Sequence, residues 1–495
     1  MNKKKFLNNI VVGFGGQLIS IVLGIIIPRI MIVSYGSDLN GLIGTVSQVF
    51  VYLALLEAGI GQAARNAMFE PLAKNDRKSV SVVYNTSEKY FRKITYYYFG
   101  AVCILSLLLP FILITQVGKF TIFLIVMFEG MAGVINFYYA ETPSILLMAD
   151  GKGYINNIIN LLNRIIGYIV RIVLAFFSVE IVFLQISYFA ITVMKVVIYK
   201  KYIKRHYGWL TKNIRSANDL IELKDRKAYI ITEIAWTVFS ATDMIVLSVF
   251  LSTKESSVYS VYNMIYSNIS LLLNTVYFSV CYVLGQTFYD NIEQYKKIHD
   301  IYNSVFIGAI TILISVAYIL TLPFVKLYTK GVTDVLYIHN ILPLLFCLVQ
   351  FLSWSRYVNG NLIGVAGKIK KIIWVNILEA VINLVSSIAL VNVFGIVGVL
   401  FATVIALPLK VIYCCYVSER IILKRKPIRF LKICLGNLGF FSLVAVISRG
   451  ININVNNYLD FFVYGILFTV VITVIGAVVN LALNHDLYYV IKKLF

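Results

Sequence analysis

The chain has 495 residues, of which 60% are hydrophobic and 14% charged, and its formal net charge is +21 at pH 7. Soluble domains are roughly 45–50% apolar and about 25% charged, so this balance, with a mean hydropathy of +0.84, excludes a water-soluble catalyst as the main body of the molecule. The basic excess does not point to nucleic acid, because Lys and Arg gather in alternate segments between apolar runs, which is how helices are oriented in a membrane.

In chain order, Lys3, Lys4 and Lys5 precede an apolar run that continues to about Val33. No small-residue cleavage site follows a short core, so the run reads as an uncleaved first span rather than a signal peptide. Apolar spans then follow at about 8–33, 41–61, 94–115, 120–147, 155–177, 180–199, 228–251, 257–284, 301–322, 336–354, 372–393, 396–417, 431–448 and 459–482. With the N-terminus inside, 34 basic residues fall in inside segments, 5 in outside segments and 5 within spans. A missed or false span would scramble that alternation, so the sequence predicts an all-α polytopic membrane protein of about fourteen helices with both termini in the cytoplasm.

The long basic stretch at 201–227 divides twelve spans into two sixes. The expected organisation is an N-terminal six-helix lobe at 1–200, a cytoplasmic linker at 201–227, a second six-helix lobe at 228–418 and two additional spans within 431–482. Residues 29–36, RIMIVSYG, resemble residues 243–250, DMIVLSVF. Six is an even number, so both lobes enter the membrane in the same direction, and the match fits a parallel, pseudo-symmetric repeat. The stretch 66–93 is too polar to span and reads either as an amphipathic segment on the anionic inner leaflet or as a solvated loop. Pro28 should kink the first span, and Gly13, Gly15, Gly16 and Gly24 read as close-packing positions.

A charge at the centre of a membrane helix costs roughly 2.5–3.5 kcal/mol, whereas one near an end snorkels cheaply. Depth therefore separates the candidates. In the fifth span Asn157, Asn160, Arg164 and Arg171 are spaced 3, 4 and 7 apart and share one helical face. Arg164 lies about 14 Å in from the span's start at 1.5 Å per residue, so this stripe is expected to line a wet cavity or hold an anion. Arg29, Lys195 and Lys410 lie nearer span ends. The acidic set in or beside spans is Glu57, Glu129, Glu141, Glu233, Asp243 and Glu379; of these Asp243, Glu57, Glu129 and Glu379 are candidates for a gate or for ion coupling, with Asp243 facing Arg29 across a pseudo-two-fold axis as an outer gate. Six scattered cysteines and four scattered histidines imply no disulfide framework, no metal and no cofactor. There is no P-loop, nucleophile elbow or HExxH, and no enzymatic activity is expected.

Two stretches, KKKFLNNIVVGFGGQLISIVLGIIIPRIMIVSYGSDLNGLIG and YLALLEAGIGQAARNAMFEPLAKND, resemble the start of bacterial polysaccharide repeat-unit flippases, which handle O-antigen, capsule or teichuronic-type units within the multidrug/oligosaccharidyl-lipid/polysaccharide exporter superfamily. ATDMIVLSVFLSTKESSVYSVY resembles that family's seventh helix. The resemblance implies a two-lobed, MATE-like fold in the bacterial cytoplasmic membrane. It also implies that an undecaprenyl-diphosphate-linked oligosaccharide is turned from the inner to the outer leaflet. It places Arg29 at the family's first-helix basic position and Arg65 in its Gly-Ile-Gly–Arg stretch. With the stripe, the expected substrate set is Arg29, Arg65, Asn157, Asn160, Arg164 and Arg171. Expected partners are the lipid-linked oligosaccharide, anionic membrane lipids, and the polymerase and glycosyltransferases of the same pathway, with no nucleic acid. A cation-coupled multidrug exporter of the same fold and a peptidoglycan lipid-precursor flippase are the rivals.

Overall fold

A computed structural model describes residues 3–57, 60–210, 226–451, 453, 455–484 and 486–487. Among them are fifteen α-helices and no strand. In chain order these are α1 (Lys3–Ala54), α2 (Ile60–Ala73), α3 (Arg77–Ile112), α4 (Lys119–Tyr139), α5 (Glu141–Ala149), α6 (Gly153–Phe176), α7 (Ile181–His206), α8 (Arg226–Phe250), α9 (Thr253–Asp290), α10 (Ile292–Tyr328), α11 (Leu342–Ser355), α12 (Tyr357–Val365), α13 (Ile373–Tyr416), α14 (Ile428–Ser448) and α15 (Tyr458–Leu483).

Ten helical stretches among the described residues are long and apolar enough to cross a membrane. Two of them hold a pair of predicted spans each. At 52 residues α1 is far longer than a crossing needs, since about 20 helical residues suffice, and its backbone leaves helical geometry at Gly36, where φ is +83°. Only glycine adopts that conformation freely, so the break falls here and not at Pro28, which stays within helical backbone. The 44-residue α13 is broken in the same way at Gly395. Two further predicted spans fall on α9 and on the 14-residue α11, and every one of the fourteen lies on a helix. The stretch 66–93 is helical on both sides of a short turn: Asp76 accepts from the Lys78 and Ser79 amides, 3.1 Å each, and so caps α3. Most of the predicted linker, residues 211–225, lies outside the described residues.

The chain folds into two compact units, one of Met1–Thr237 with Ser252–Ser257, the other of Val238–Leu251 with Val258–Phe495. In the first, α1 runs beside α6, α3 beside α4, and α4 beside α7, while α2 packs on α3 and α5. Phe91, Val102, Leu146 and Tyr199 form part of its core. Gly16 meets Leu161 of α6, whereas Gly15 and Gly24 face open space, so the close-packing expectation fails at those two glycines because their side of α1 has no neighbour.

Residues 252–257 are built into this first unit by Asp38. One Asp38 oxygen accepts from the Thr253 hydroxyl, and the other accepts from Thr115 Oγ1 at 3.0 Å and the Gln116 amide at 2.8 Å. Asn40 donates to Ser257 at 2.8 Å. Gly41 lies directly against the Thr253 backbone, with no room for a methyl group. Overpacking a tight contact costs about 1–3 kcal/mol. G41A should therefore lower the thermal unfolding midpoint, while G24A, in open space, should leave it unchanged or raise it.

In the second unit α10 is the hub, packed against α11, α14 and α15. Its Phe306, Ile307, Ile310 and Ile314 are fully buried. The two additional helices are held there by polar locks. Asn437 and Asn480 exchange amide hydrogen bonds of 2.9 and 3.1 Å, and Asn480 lies over Gly308. The opposite side of α15 leaves Phe462, Ile466, Val470 and Val474 exposed, an apolar stripe at helical spacing that suits acyl chains rather than water.

Candidate functional site

Helix α6 is two-faced. Ile159 is buried off the predicted stripe, whereas Gly167 lies among the stripe residues and lines the same cavity as they do. Asn157, Asn160, Arg164 and Arg171 all line one cavity of about 570 Å³ within the first unit, inside the roughly 300–1,000 Å³ usual for small-ligand sites. The stripe is therefore a real cavity wall, with the backbone positions of its two arginines about 10 Å apart along the helix axis.

The other walls come from α4 and α7. Glu129 of α4 lies beside Arg171 and Gln185, the Arg171 guanidinium stacks 5.0 Å from the Tyr188 ring centre, and Lys195 of α7 reaches the same cavity. Arg164 donates to Ser20 Oγ at 2.6 Å, and Ser20 donates to Gly16 O at 2.7 Å, tying α6 to α1. A smaller cavity of about 160 Å³ continues past Asn157, Asn160 and Arg164 along Gln17 and Ser20. Three basic groups against one carboxylate, with amide and phenol groups between them, make a chamber suited to a phosphate and to sugar hydroxyls.

The remaining predicted residues are elsewhere. Arg65 lines a second cavity of about 380 Å³ in the same unit, together with Glu57, Glu141 and Glu233, and donates to Met148 Sδ at 3.7 Å. Sequence periodicity places residues on helix faces but does not say which face meets which, and here α2 turns Arg65 toward carboxylates. Arg29 lines none of these three cavities. It belongs to the first unit and Asp243 to the second. Asp243 is buried, with one oxygen accepting from Tyr259 at 2.9 Å and the other without a hydrogen-bond partner. Glu379 is also buried in the second unit, 2.7 Å from Lys410 Nζ and 3.6 Å from Arg356.

His299, Asp300 and Glu419 converge to within 4.8 Å of one another, a grouping not apparent in the sequence because Glu419 is remote in the chain from the adjacent His299 and Asp300. Arg425 sits among them, donating to both Asp300 oxygens and to Glu419, and Arg429 reaches Asp300 at 2.9 Å. The chain thus supplies its own cation to this cluster. Burial works against the Arg425 charge, but its bonds to Glu419 and Asp300 outweigh that and raise its pKa.

No family model matches the sequence, and no curated protein does. Solved structures do match. A structure of the lipid II flippase MurJ in an inward closed conformation is 15% identical, covering 96% of this chain and 99% of its own, with a TM-score of 0.63. An inward-facing multidrug resistance MATE family transporter of the MOP superfamily is 12% identical over 86% and 94%, with a TM-score of 0.66. A MOP superfamily transporter from Pyrococcus furiosus is 14% identical over 86% and 97%, with a TM-score of 0.56. The chain has the all-helical fold shared by MurJ and the MATE transporters.

Proposed function

We propose that this protein is a flippase that moves an undecaprenyl-diphosphate-linked oligosaccharide from the inner to the outer leaflet of the bacterial cytoplasmic membrane, by alternating access, during synthesis of a surface polysaccharide such as O-antigen or capsule. The observation that carries this is the Asn157–Asn160–Arg164–Arg171 wall of the larger cavity. A diphosphate needs fixed positive partners, and guanidinium groups bind phosphate in a bidentate fork. The amides offer both donors and acceptors to sugar hydroxyls. The fold shared with a lipid II flippase and the resemblance of the first ninety-five residues support the same reading. Anionic inner-leaflet lipids, the pathway's polymerase and its glycosyltransferases are the partners that go with it.

One observation favours a second reading. The cavity of Glu57, Glu141 and Glu233 is acidic, as a cation-coupled multidrug exporter of this fold would need. Deleting the gene and analysing lipid-linked glycans separates the two. The flippase reading expects undecaprenyl-diphosphate oligosaccharide to accumulate with unchanged drug tolerance. Drug hypersensitivity without accumulation contradicts it, and accumulation of the peptidoglycan precursor instead points to that substrate.

A further inference from the structure

We infer that Lys195 is a third cation of the stripe cavity, and that Glu141 sets its position through Asn136. The inference rests on the diphosphate reading of that cavity. Lys195 lines it together with Arg164 and Arg171 and donates to Asn136 Oδ1 at 2.7 Å. Asn136 Nδ2 in turn donates to Glu141 Oε1 at 2.9 Å. Glu141 faces the other cavity, beside Glu57 and Arg65. One hydrogen-bonded link, Lys195–Asn136–Glu141, therefore joins the basic cavity to the acidic one.

The direction of the link follows from donor and acceptor chemistry. A carboxylate only accepts, and an ammonium only donates. An amide placed between them has one orientation that serves both, with its NH₂ toward Glu141 and its oxygen toward Lys195. Both charged partners favour that one orientation, so Glu141 anchors the far end of Asn136 and Asn136 holds the lysine at the cavity wall. Lys195 has three N–H groups, and with one given to Asn136, two remain for an anion entering the cavity. Neutralising Glu141 weakens the anchor: Asn136 still turns its oxygen to the ammonium, but the charge-assisted bond at its other end becomes a neutral and weaker one, so the amide, and the lysine it holds, are less firmly placed. Glu141 is in this sense a positioning residue. It acts through Asn136, so its effect on anion binding should vanish when Lys195 is gone, because mutations in one network are not additive.

The test uses the full chain in lipid nanodiscs, with undecaprenyl diphosphate and uncharged undecaprenol as probes. Expected results are about a tenfold loss of affinity for the diphosphate in K195A, a severalfold loss in E141Q, and near wild-type affinity in K195R. Undecaprenol binding should not change in any of them. K195A/E141Q should bind no more weakly than K195A. An E141Q effect that adds in full to K195A, or a K195A variant with unchanged affinity beside a weakened R164A, overturns the inference and leaves the diphosphate reading standing. Wild-type protein that does not bind undecaprenyl diphosphate overturns the diphosphate reading. In that event an amine-reactive reagent still reads the relay: E141Q should change the labelling rate of Lys195 severalfold relative to exposed Lys201, and an unchanged rate overturns the inference.

Discussion

R164A should bind undecaprenyl diphosphate about tenfold to a hundredfold more weakly than wild type, with an unchanged thermal midpoint. A hydrogen bond to a charged group contributes about 1.5–3 kcal/mol, and every 1.4 kcal/mol is about a factor of ten in affinity. Arg164 projects into the cavity and is exposed there, and its contact with Ser20 is an exposed one, so the fold does not depend on it. R164K should recover little, because an ammonium is a point charge and cannot present the planar fork that matches a phosphate. R171A should weaken binding to a similar degree but also lower stability, since Glu129 then loses its neighbouring positive charge. Adding E129Q to R171A should restore the midpoint without restoring affinity, which separates the two roles of that arginine.

The second large effect belongs to the other unit. E379A should destabilise the protein by about 3–5 kcal/mol, the usual consequence of removing one partner from a buried ion pair. Glu379 is about 1% exposed and lies between Lys410 and Arg356. Without it two cations face each other away from water. K410A should do less damage, because Glu379 keeps Arg356. The double variant E379A/K410A should be more stable than E379A alone, since one of the two opposed charges is gone. Thermal unfolding of the four proteins in one detergent checks the order: wild type, K410A, E379A/K410A, E379A. An E379A protein as stable as K410A would contradict it.

The long helices were legible because hydropathy and charge alternation are local signals that the bilayer enforces. The break in α1 at Gly36 is seven residues past Arg29, and α8 ends at Phe250, seven past Asp243. The span on α9 was read from the sequence although that helix is not among the ten apolar stretches of the described residues. Helix α9 carries Ser260, Asn263, Ser267, Asn268, Ser270, Asn274 and Thr275 along its predicted span. The α6 stripe was legible because period 3.6 is written into one helix. Its opposing walls were not, because Glu129, Tyr188 and Lys195 meet it only through packing of α4 and α7. Lys195 in particular sits near a span end, where snorkelling explains a lysine equally well. Arg65 shares the charge of the stripe but lines the other cavity, with Glu57, Glu141 and Glu233, a placement that charge and spacing in one sequence do not show.

Translocation itself is the most direct test. Purified protein is reconstituted into proteoliposomes loaded on the inner leaflet with a fluorescent undecaprenyl-diphosphate oligosaccharide, and appearance of the glycan on the outer leaflet is followed with a membrane-impermeant lectin or quencher. Wild type should expose the glycan severalfold faster than protein-free vesicles, and R164A should fall to near the protein-free rate. Equal rates for wild type and protein-free vesicles, or an R164A variant that flips as fast as wild type, would contradict the assignment of the α6 cavity as the diphosphate site of a flippase.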